Sequence, residues 1–290
     1  MTDLATPLMV TLPGGELLPS MGLGTWRMGE SADRRAIEVA AVRTALELGY
    51  RVIDTAEMYG DGGAEEIVGT AVAESVRSAS IGREQLFIVS KAYPQNATAA
   101  GLATACERSL KRLGIDQLDL YLLHWRGAVS LADTIAGFER LQTRGLIRHW
   151  GVSNFDIDDM RELVGIAGGE LCAANQIYYS LTQRGPAFEL LPWQASHGIA
   201  TMAYSPIDQG ALSRSAPLRS IAQRRGFTPA QLALAWLVGQ RGVMAIPKAV
   251  DELHLRENIE ALALILSADD HRALDAAFLP PRMKSPLAML

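Results

Sequence analysis

The sequence predicts an α/β fold, a (β/α)₈ TIM barrel. Three observations carry this: eight short apolar runs alternate with stretches of helical periodicity, a polar residue closes nearly every run, and the length of 290 residues suits one barrel. Strands alternating with helices imply a parallel sheet with right-handed crossovers, and eight such units imply closure, in about 250 residues plus insertions.

In chain order, residues 8–18 read as a hairpin turning at Pro13-Gly14-Gly15, placed to close the bottom of the barrel. The expected strands are Gly22–Thr25, Arg51–Asp54, Leu86–Ser90, Leu118–Leu123, Ile147–Val152, Cys172–Gln176, Ile199–Ala203 and Val243–Pro247. Between them, Ile37, Ala41, Ala45 and Leu48 form one helical stripe and Leu102, Cys106, Leu110 and Leu113 another. Leu279–Leu290 carries Pro280, Pro281 and Pro286 and reads as an extended C-terminal flap. With no linker-like segment, residues 1–290 read as a single domain. The rival fold, an open doubly wound sheet, needs G-x-G-x-x-G; Gly22-Leu23-Gly24-Thr25-Trp26-Arg27 lacks the third glycine.

Composition narrows the function. A net charge of −5 gives no electrostatic case for nucleic acid. The first residues, Met1 to Pro7, lack the pattern of a secretory leader, and no apolar run approaches the roughly 18 residues of a membrane span. The two cysteines, Cys106 in an expected helix and Cys172 in an expected strand, make neither a disulfide framework nor a metal site. A reducing cytoplasm is the expected location. Positive charge is written almost entirely as arginine, 23 against the four lysines Lys91, Lys111, Lys248 and Lys284. Lys91 and Lys248 both follow expected strands, where a compact ammonium does what a guanidinium fork does not.

In a barrel, the C-terminal strand ends converge on one mouth. Read in order they present Asp54 with Tyr59 in the following loop, then Lys91, His124, Ser153 with Asn154, Gln176, Tyr204 with Ser205, and Lys248. Water contact at strand ends explains one or two polar residues, but poorly an Asp, a Tyr, a Lys and a His on three consecutive units. A phenol has a pKa of about 10, too high to exchange protons readily at neutral pH, and a nearby ammonium lowers it. Asp54–Lys91–Tyr59 is then a chain that makes tyrosine a usable general acid, and His124 adds an N–H toward the same carbonyl oxygen. No side chain supplies a hydride, so the set calls for a nicotinamide cofactor.

The tetrad Asp54, Tyr59, Lys91 and His124 resembles that of the aldo-keto reductase family. The surrounding sequence is similar too: Gly22-Leu23-Gly24-Thr25-Trp26, Val52 to Gly60, Leu122-Leu123-His124-Trp125, Gly151-Val152-Ser153-Asn154-Phe155 and Ile246-Pro247-Lys248. These motifs run in family order across nearly the whole chain. Asp54 to Tyr59 and the loop Asp61-Gly62-Gly63-Ala64-Glu65 look most like bacterial methylglyoxal reductases.

The resemblance implies NADPH-dependent reduction of small aldehydes and ketones, such as methylglyoxal or aromatic aldehydes, by a monomer without a metal. It implies cofactor contacts from Gly24, Thr25, Trp26, Asp54, Ser153, Asn154, Gln176, Tyr204, Ser205, Pro206, Ile207, Gly210, Ile246, Pro247, Lys248, Ala249, His254, Glu257 and Asn258. Among these, Ser153, Asn154 and Gln176 would hold the carboxamide, Tyr204 would stack on the ring, and Ser205–Gly210 would fold over the pyrophosphate. Lys248 would meet the 2′-phosphate, aided by backbone N–H groups of a helix starting near Asp251. Trp26, Met28, Tyr93 and Trp125 would line the substrate pocket, with Arg27 and Arg126 at its rim. Relatives that strongly prefer NADPH carry a serine and an arginine where this chain has Ala249 and His254. NADPH is still expected to be preferred, by a smaller margin, and NADH stays open as a second cofactor. Glu65-Glu66 reads as a solvated first helical turn. Two other functions stay open: a cofactor-binding redox sensor or channel subunit with slow turnover, and a Schiff-base aldolase using Lys91.

Overall fold

The computed structural model describes residues 8–290; the expectation about a secretory leader rests on residues 1–7, which lie outside the described residues. Strands β1 (Met9–Thr11) and β2 (Leu17–Pro19) form the expected antiparallel hairpin. The remaining strands make one parallel sheet of eight in sequential order: β3 (Gly22–Gly24), β4 (Val52–Asp54), β5 (Phe87–Ala92), β6 (Leu118–Leu123), β7 (Ile147–Ser153), β8 (Ala174–Tyr178), β9 (Ala200–Tyr204) and β10 (Val243–Ala245). The sheet closes into a barrel where Met21 bridges Ala245 and the Gly24 N–H donates to the Pro247 carbonyl at 3.0 Å. Every strand falls within two residues of its expected position. Cys172 lies just before β8 rather than in it.

The helices are α1 (Arg35–Glu47), α2 (Gly63–Arg77), α3 (Ala99–Leu113), α4 (Leu131–Thr143), α5 (Ile157–Val164), α6 (Leu190–Ser196), α7 (Ala211–Arg214), α8 (Ala216–Arg225), α9 (Pro229–Val238), α10 (Glu252–Glu260) and α11 (Ala268–Ala277). Local chemistry sets their starts. Thr98 caps α3, Ser130 caps α4, and Thr228 with Gln231 forms a capping box on α9. Gly114 ends α3 in the left-handed conformation (φ 65°). In α1 the buried stripe runs through Val39, Val42 and Leu46 with Ala41 and Ala45; Ile37, expected within it, is 59% exposed.

Strand alternation divides the core in two. Phe87 and Val89 on β5, Leu120 and Leu122 on β6, Met202 and Met244 fill the barrel interior, and Val10, Leu12 and Leu18 of the hairpin plug its lower end. Ile88, Ala92, Tyr121, Leu123 and Trp150 face outward against the helices. The same period of two turns Asp54 and Lys91 inward above this apolar plug, at the C-terminal mouth. The flap 279–290 carries no helix or strand and ends with Met289 and Leu290 in the mouth.

Candidate active site

A cleft of about 900 Å³ opens at the C-terminal ends of the strands. At its floor, Lys91 Nζ donates to Asp54 Oδ2 at 2.8 Å, to the Thr55 carbonyl at 3.0 Å and to the Tyr59 hydroxyl at 3.0 Å. Lys91 is fully buried and Asp54 nearly so. A charge so placed is tolerated only with partners on its protons, and all three ammonium donors have them. Gln176 Nε2 donates to the other Asp54 oxygen at 2.7 Å. Tyr59 and His124 both line the cleft, with ring centroids 5.9 Å apart in an edge-on arrangement.

The electrostatics depart from expectation in one respect. Burial, the largest influence, lifts the Tyr59 phenol above its ordinary 10, and Lys91 opposes that rise without overcoming it. Tyr59 is therefore a neutral phenol at neutral pH, which is the state a proton donor requires. The ammonium matters for the phenolate left after transfer rather than for the resting acid. Lys91 is held above its ordinary value: burial opposes its charge, but Asp54 and then Tyr59 outweigh it. His124 is pushed well below the usual imidazole range, first by burial and then by Lys91. It is neutral, and its Nδ1 is buried without a partner.

Most of the expected binding residues meet in this one cleft. Gly24, Trp26, Asp54, Ser153, Asn154, Gln176 and Tyr204 line one part of it. Ser205, Pro206, Ile207 and Gly210, then Ile246, Pro247, Lys248, Ala249, His254, Glu257 and Asn258, line the rest. Ser153 Oγ donates to the Gln176 carbonyl at 2.9 Å, and Tyr204 Oη donates to Asn154 Oδ1 at 2.9 Å. Lys248 is held below its ordinary value by burial and then by Arg34, with Glu38 and Glu30 opposing the shift and Arg27 adding to it. Arg34 is paired with Glu38 at 3.2 Å, so Lys248 and Arg27, both on the cleft wall, are the cations placed to meet an anion.

Four expectations are corrected. Thr25 does not face the cleft: it is fully buried and its hydroxyl donates to the Asp54 carbonyl at 2.9 Å. Met28 is fully buried in the outer core and is no part of the cleft wall. Tyr93 does not line the cleft either; it packs edge-on against Trp125, which does, at 5.9 Å between ring centroids. The N-terminus of α10 does not present all its N–H groups to a ligand, because the Asp251 carboxylate accepts those of Leu253 and His254. At the rim, Arg27 lines the cleft with its guanidinium over the Trp26 ring, whereas Arg126 is taken up by Asp159 and Glu162.

Gln209, within the expected loop Ser205–Gly210, lines the cleft as well, whereas sequence reasoning missed Met58, Ser213 and the start of α9 at Thr228, Pro229 and Ala230 as parts of the wall. Only the last had a legible signal, the capping box Thr228-x-x-Gln231. Met289 and Leu290 also line the cleft, at the end of the flap.

The donor set fits a nicotinamide dinucleotide. The volume lies in the range of cofactor pockets. Side-chain amides and a hydroxyl converge with Tyr204 near the tetrad, and a lysine among arginines stands at the other end. Among the described residues no group of acidic, histidine and cysteine side chains is arranged to hold a metal ion.

Comparison with known proteins agrees. A family model described as the Aldo/keto reductase family matches residues 20–278. The chain is 45% identical to methylglyoxal reductase YeaE of Escherichia coli K12, over 97% of this chain and 99% of the relative. It is 34% identical to methylglyoxal reductase DkgB of Escherichia coli O157:H7, over 93% and 96%. Among solved structures, an aldo-keto reductase from Klebsiella pneumoniae in complex with NADPH superimposes with a TM-score of 0.93 at 44% identity, covering 98% of this chain and 100% of that one. An aldo/keto reductase from Brucella melitensis superimposes with a TM-score of 0.81 at 33% identity, covering 93% and 98%. Barrel, tetrad geometry and near full-length similarity converge: this chain belongs to the aldo/keto reductase family.

Proposed function

We propose that this protein is an NADPH-dependent oxidoreductase that reduces small aldehydes and ketones to alcohols, with Tyr59 as proton donor and methylglyoxal-like 2-oxoaldehydes as the substrate class. One observation carries the chemistry: the Asp54–Lys91–Tyr59 chain ends, beside a neutral His124, in a cleft large enough for a dinucleotide and a small carbonyl. The substrate class is supported by two relatives bearing the name methylglyoxal reductase and by the Trp26 and Trp125 walls near Tyr59 and His124.

When bound, the nicotinamide supplies a hydride to the carbonyl carbon. Tyr59 donates its proton to the carbonyl oxygen as negative charge develops there. The resulting phenolate accepts a hydrogen bond from the Lys91 ammonium, and Asp54 keeps that ammonium charged and aimed. His124 directs an N–H at the same oxygen. Placing the imidazole proton on Nε2 leaves a lone pair, not an N–H, buried at Nδ1, the less costly choice. Solvent returns a proton to Tyr59 afterwards, so one hydride and one proton convert the carbonyl to an alcohol. Ser153 and Asn154 would hold the carboxamide, the Asn154 amide being steadied by the His124 carbonyl and the Tyr204 hydroxyl, and Gln176, already donating to Asp54, would share the task with its oxygen. Tyr204, which lines the cleft and stacks on Tyr178, would offer a ring face to the nicotinamide. Lys248, with Arg27 in Coulombic reach, favours the extra phosphate of NADPH.

A Schiff-base role for Lys91 is disfavoured, since that chemistry needs a neutral amine and this one is a fully paired ammonium. Among the described residues no helix is long and apolar enough to cross a membrane. We also propose a cytoplasmic monomer; the free, buried Cys106 and Cys172 are compatible with a reducing compartment. Loss of NADPH absorbance with methylglyoxal, benzaldehyde, glyceraldehyde and a steroid ketone tests the proposal. Fast turnover of methylglyoxal supports it, and no turnover of any carbonyl sinks it in favour of a sensor role.

A further inference from the structure

Tyr59 stands on an unusual loop. The three residues after it, Gly60, Asp61 and Gly62, all have left-handed backbones (φ 56°, 55° and 91°). Asp61 lacks a glycine's freedom there, and although aspartate tolerates this region better than most residues, a run of three left-handed residues is an irregular path that the surroundings must fix. Something must hold this loop.

Two buried carboxylates bracket it. Upstream, Glu57 Oε1 accepts from the Tyr93 N–H at 2.8 Å and Asn96 Nδ2 at 2.9 Å, and Oε2 accepts from Arg108 at 3.2 Å. Downstream, Glu65 is fully buried, not solvated as the sequence suggested. Its Oε1 accepts from Ser90 Oγ at 2.5 Å and its Oε2 from Arg112 Nε at 2.5 Å. Arg108 and Arg112 are one turn apart and share a face of α3. Ser90 is the residue before Lys91, on the outward side of β5. The Glu57 N–H also donates to the Lys91 carbonyl at 3.3 Å. Both ends of the Tyr59 loop are thus tied to the strand that carries Lys91 and to one helix behind it. Gly62 is part of the arrangement: its φ of 91° favours glycine, and a Cβ there would lie 2.5 Å from Arg112 Nε, so a larger residue would push that guanidinium from its place against Glu65.

Stability does not explain the pattern well. Buried ion pairs are commonly no more stabilising than packed apolar residues, and their better-attested use is to fix register. We propose that Glu57 and Glu65 are positioning residues that hold the Tyr59 hydroxyl at hydrogen-bonding distance from the Lys91 ammonium, acting through Arg108 and Arg112 on α3 and through Ser90 on β5. Neither carboxylate touches the substrate. This rests on the reading of Tyr59 as proton donor.

The test uses Glu65→Ala, Glu65→Gln, Ser90→Ala and Glu57→Gln in the full-length protein, with Tyr59→Phe as reference. Turnover of methylglyoxal, its pH profile and NADPH affinity by fluorescence are measured on each. Misplacing a reacting group by about 1 Å costs on the order of 10²-fold. Glu65→Ala should therefore lose kcat by about that factor, with KM and NADPH affinity within about twofold of wild type. The alkaline fall-off should move upward, because a phenolate further from its ammonium forms less readily. Glu65→Gln, which keeps one acceptor, should recover most of the loss. Ser90→Ala should lower kcat roughly tenfold and Glu57→Gln, which likewise keeps one acceptor, by less; Ser90→Ala decides the matter if Glu65→Ala does not fold. Variants that melt earlier but keep wild-type kcat and pH profile, beside an inactive Tyr59→Phe, overturn the positioning role alone. A normally active Tyr59→Phe overturns the proton-donor reading beneath it.

Discussion

The Lys91 ammonium and the Asp54 carboxylate lie 2.8 Å apart, both buried, on adjacent strands of the barrel. Each makes the other's charge tolerable in a place that excludes water. Lys91→Met is expected to destabilise the fold by about 3–5 kcal/mol, since it strands a buried carboxylate. The double variant Asp54→Asn with Lys91→Met should lose less than the sum of the two single variants. Urea denaturation of the four proteins gives the coupling, and strict additivity would show that the pair is not mutually dependent.

The protonation states fix a pH dependence. His124 is depressed below its ordinary value of about 6.5, so it stays a neutral donor into mildly acid solution. Reductive kcat should show no inflection near that value. The linked stability is present above the unfolded value and is lost as pH falls through the lowered folded one. Tyr59 is shifted the other way, raised above its ordinary value of about 10. Its stability contribution is complete below the unfolded value and is lost as pH rises through the raised one. Reduction should persist into alkaline solution, where the proton donor stays loaded. A kcat profile falling below about pH 7 with imidazole-like titration would contradict this assignment of His124.

Cofactor choice should follow the charge around Lys248. Charge-assisted hydrogen bonds contribute about 1.5–3 kcal/mol. Lys248→Ala should therefore weaken NADPH binding by roughly tenfold to a hundredfold and leave NADH nearly unaffected. His254→Arg should widen the preference for NADPH, by adding a permanent cation to the cleft wall. Fluorescence titration with both cofactors reads each ratio. A wild-type protein that binds NADH more tightly than NADPH would refute the assigned role of Lys248.

How much of this was legible in the sequence depended on what decided each feature. The barrel was legible because alternation of period two and helical stripes are local properties, and every strand followed. The tetrad was legible because strand ends converge whatever the loops do, and the scarcity of lysine drew attention to Lys91. Burial of single side chains was not legible. Met28 and Tyr93 sit in loops whose path is set by tertiary packing, and Thr25 turns its hydroxyl to a backbone carbonyl of the next strand. Glu65 follows a glycine-rich loop in the first turn of a helix, where a solvated carboxylate is the usual outcome. Only the fold reveals that Ser90 and Arg112 await it. The direction of the Tyr59 shift failed for a related reason: proximity to an ammonium can be read from residue types, but the depth of burial cannot.

The central claim, that the Tyr59 phenol delivers the proton during hydride transfer, is tested most directly by Tyr59→Phe under single-turnover conditions with bound NADPH and saturating methylglyoxal. Removal of a general acid is expected to slow loss of NADPH absorbance by about 10²–10⁴-fold, while NADPH still binds with wild-type affinity. A variant that consumes NADPH at the wild-type rate would contradict the account.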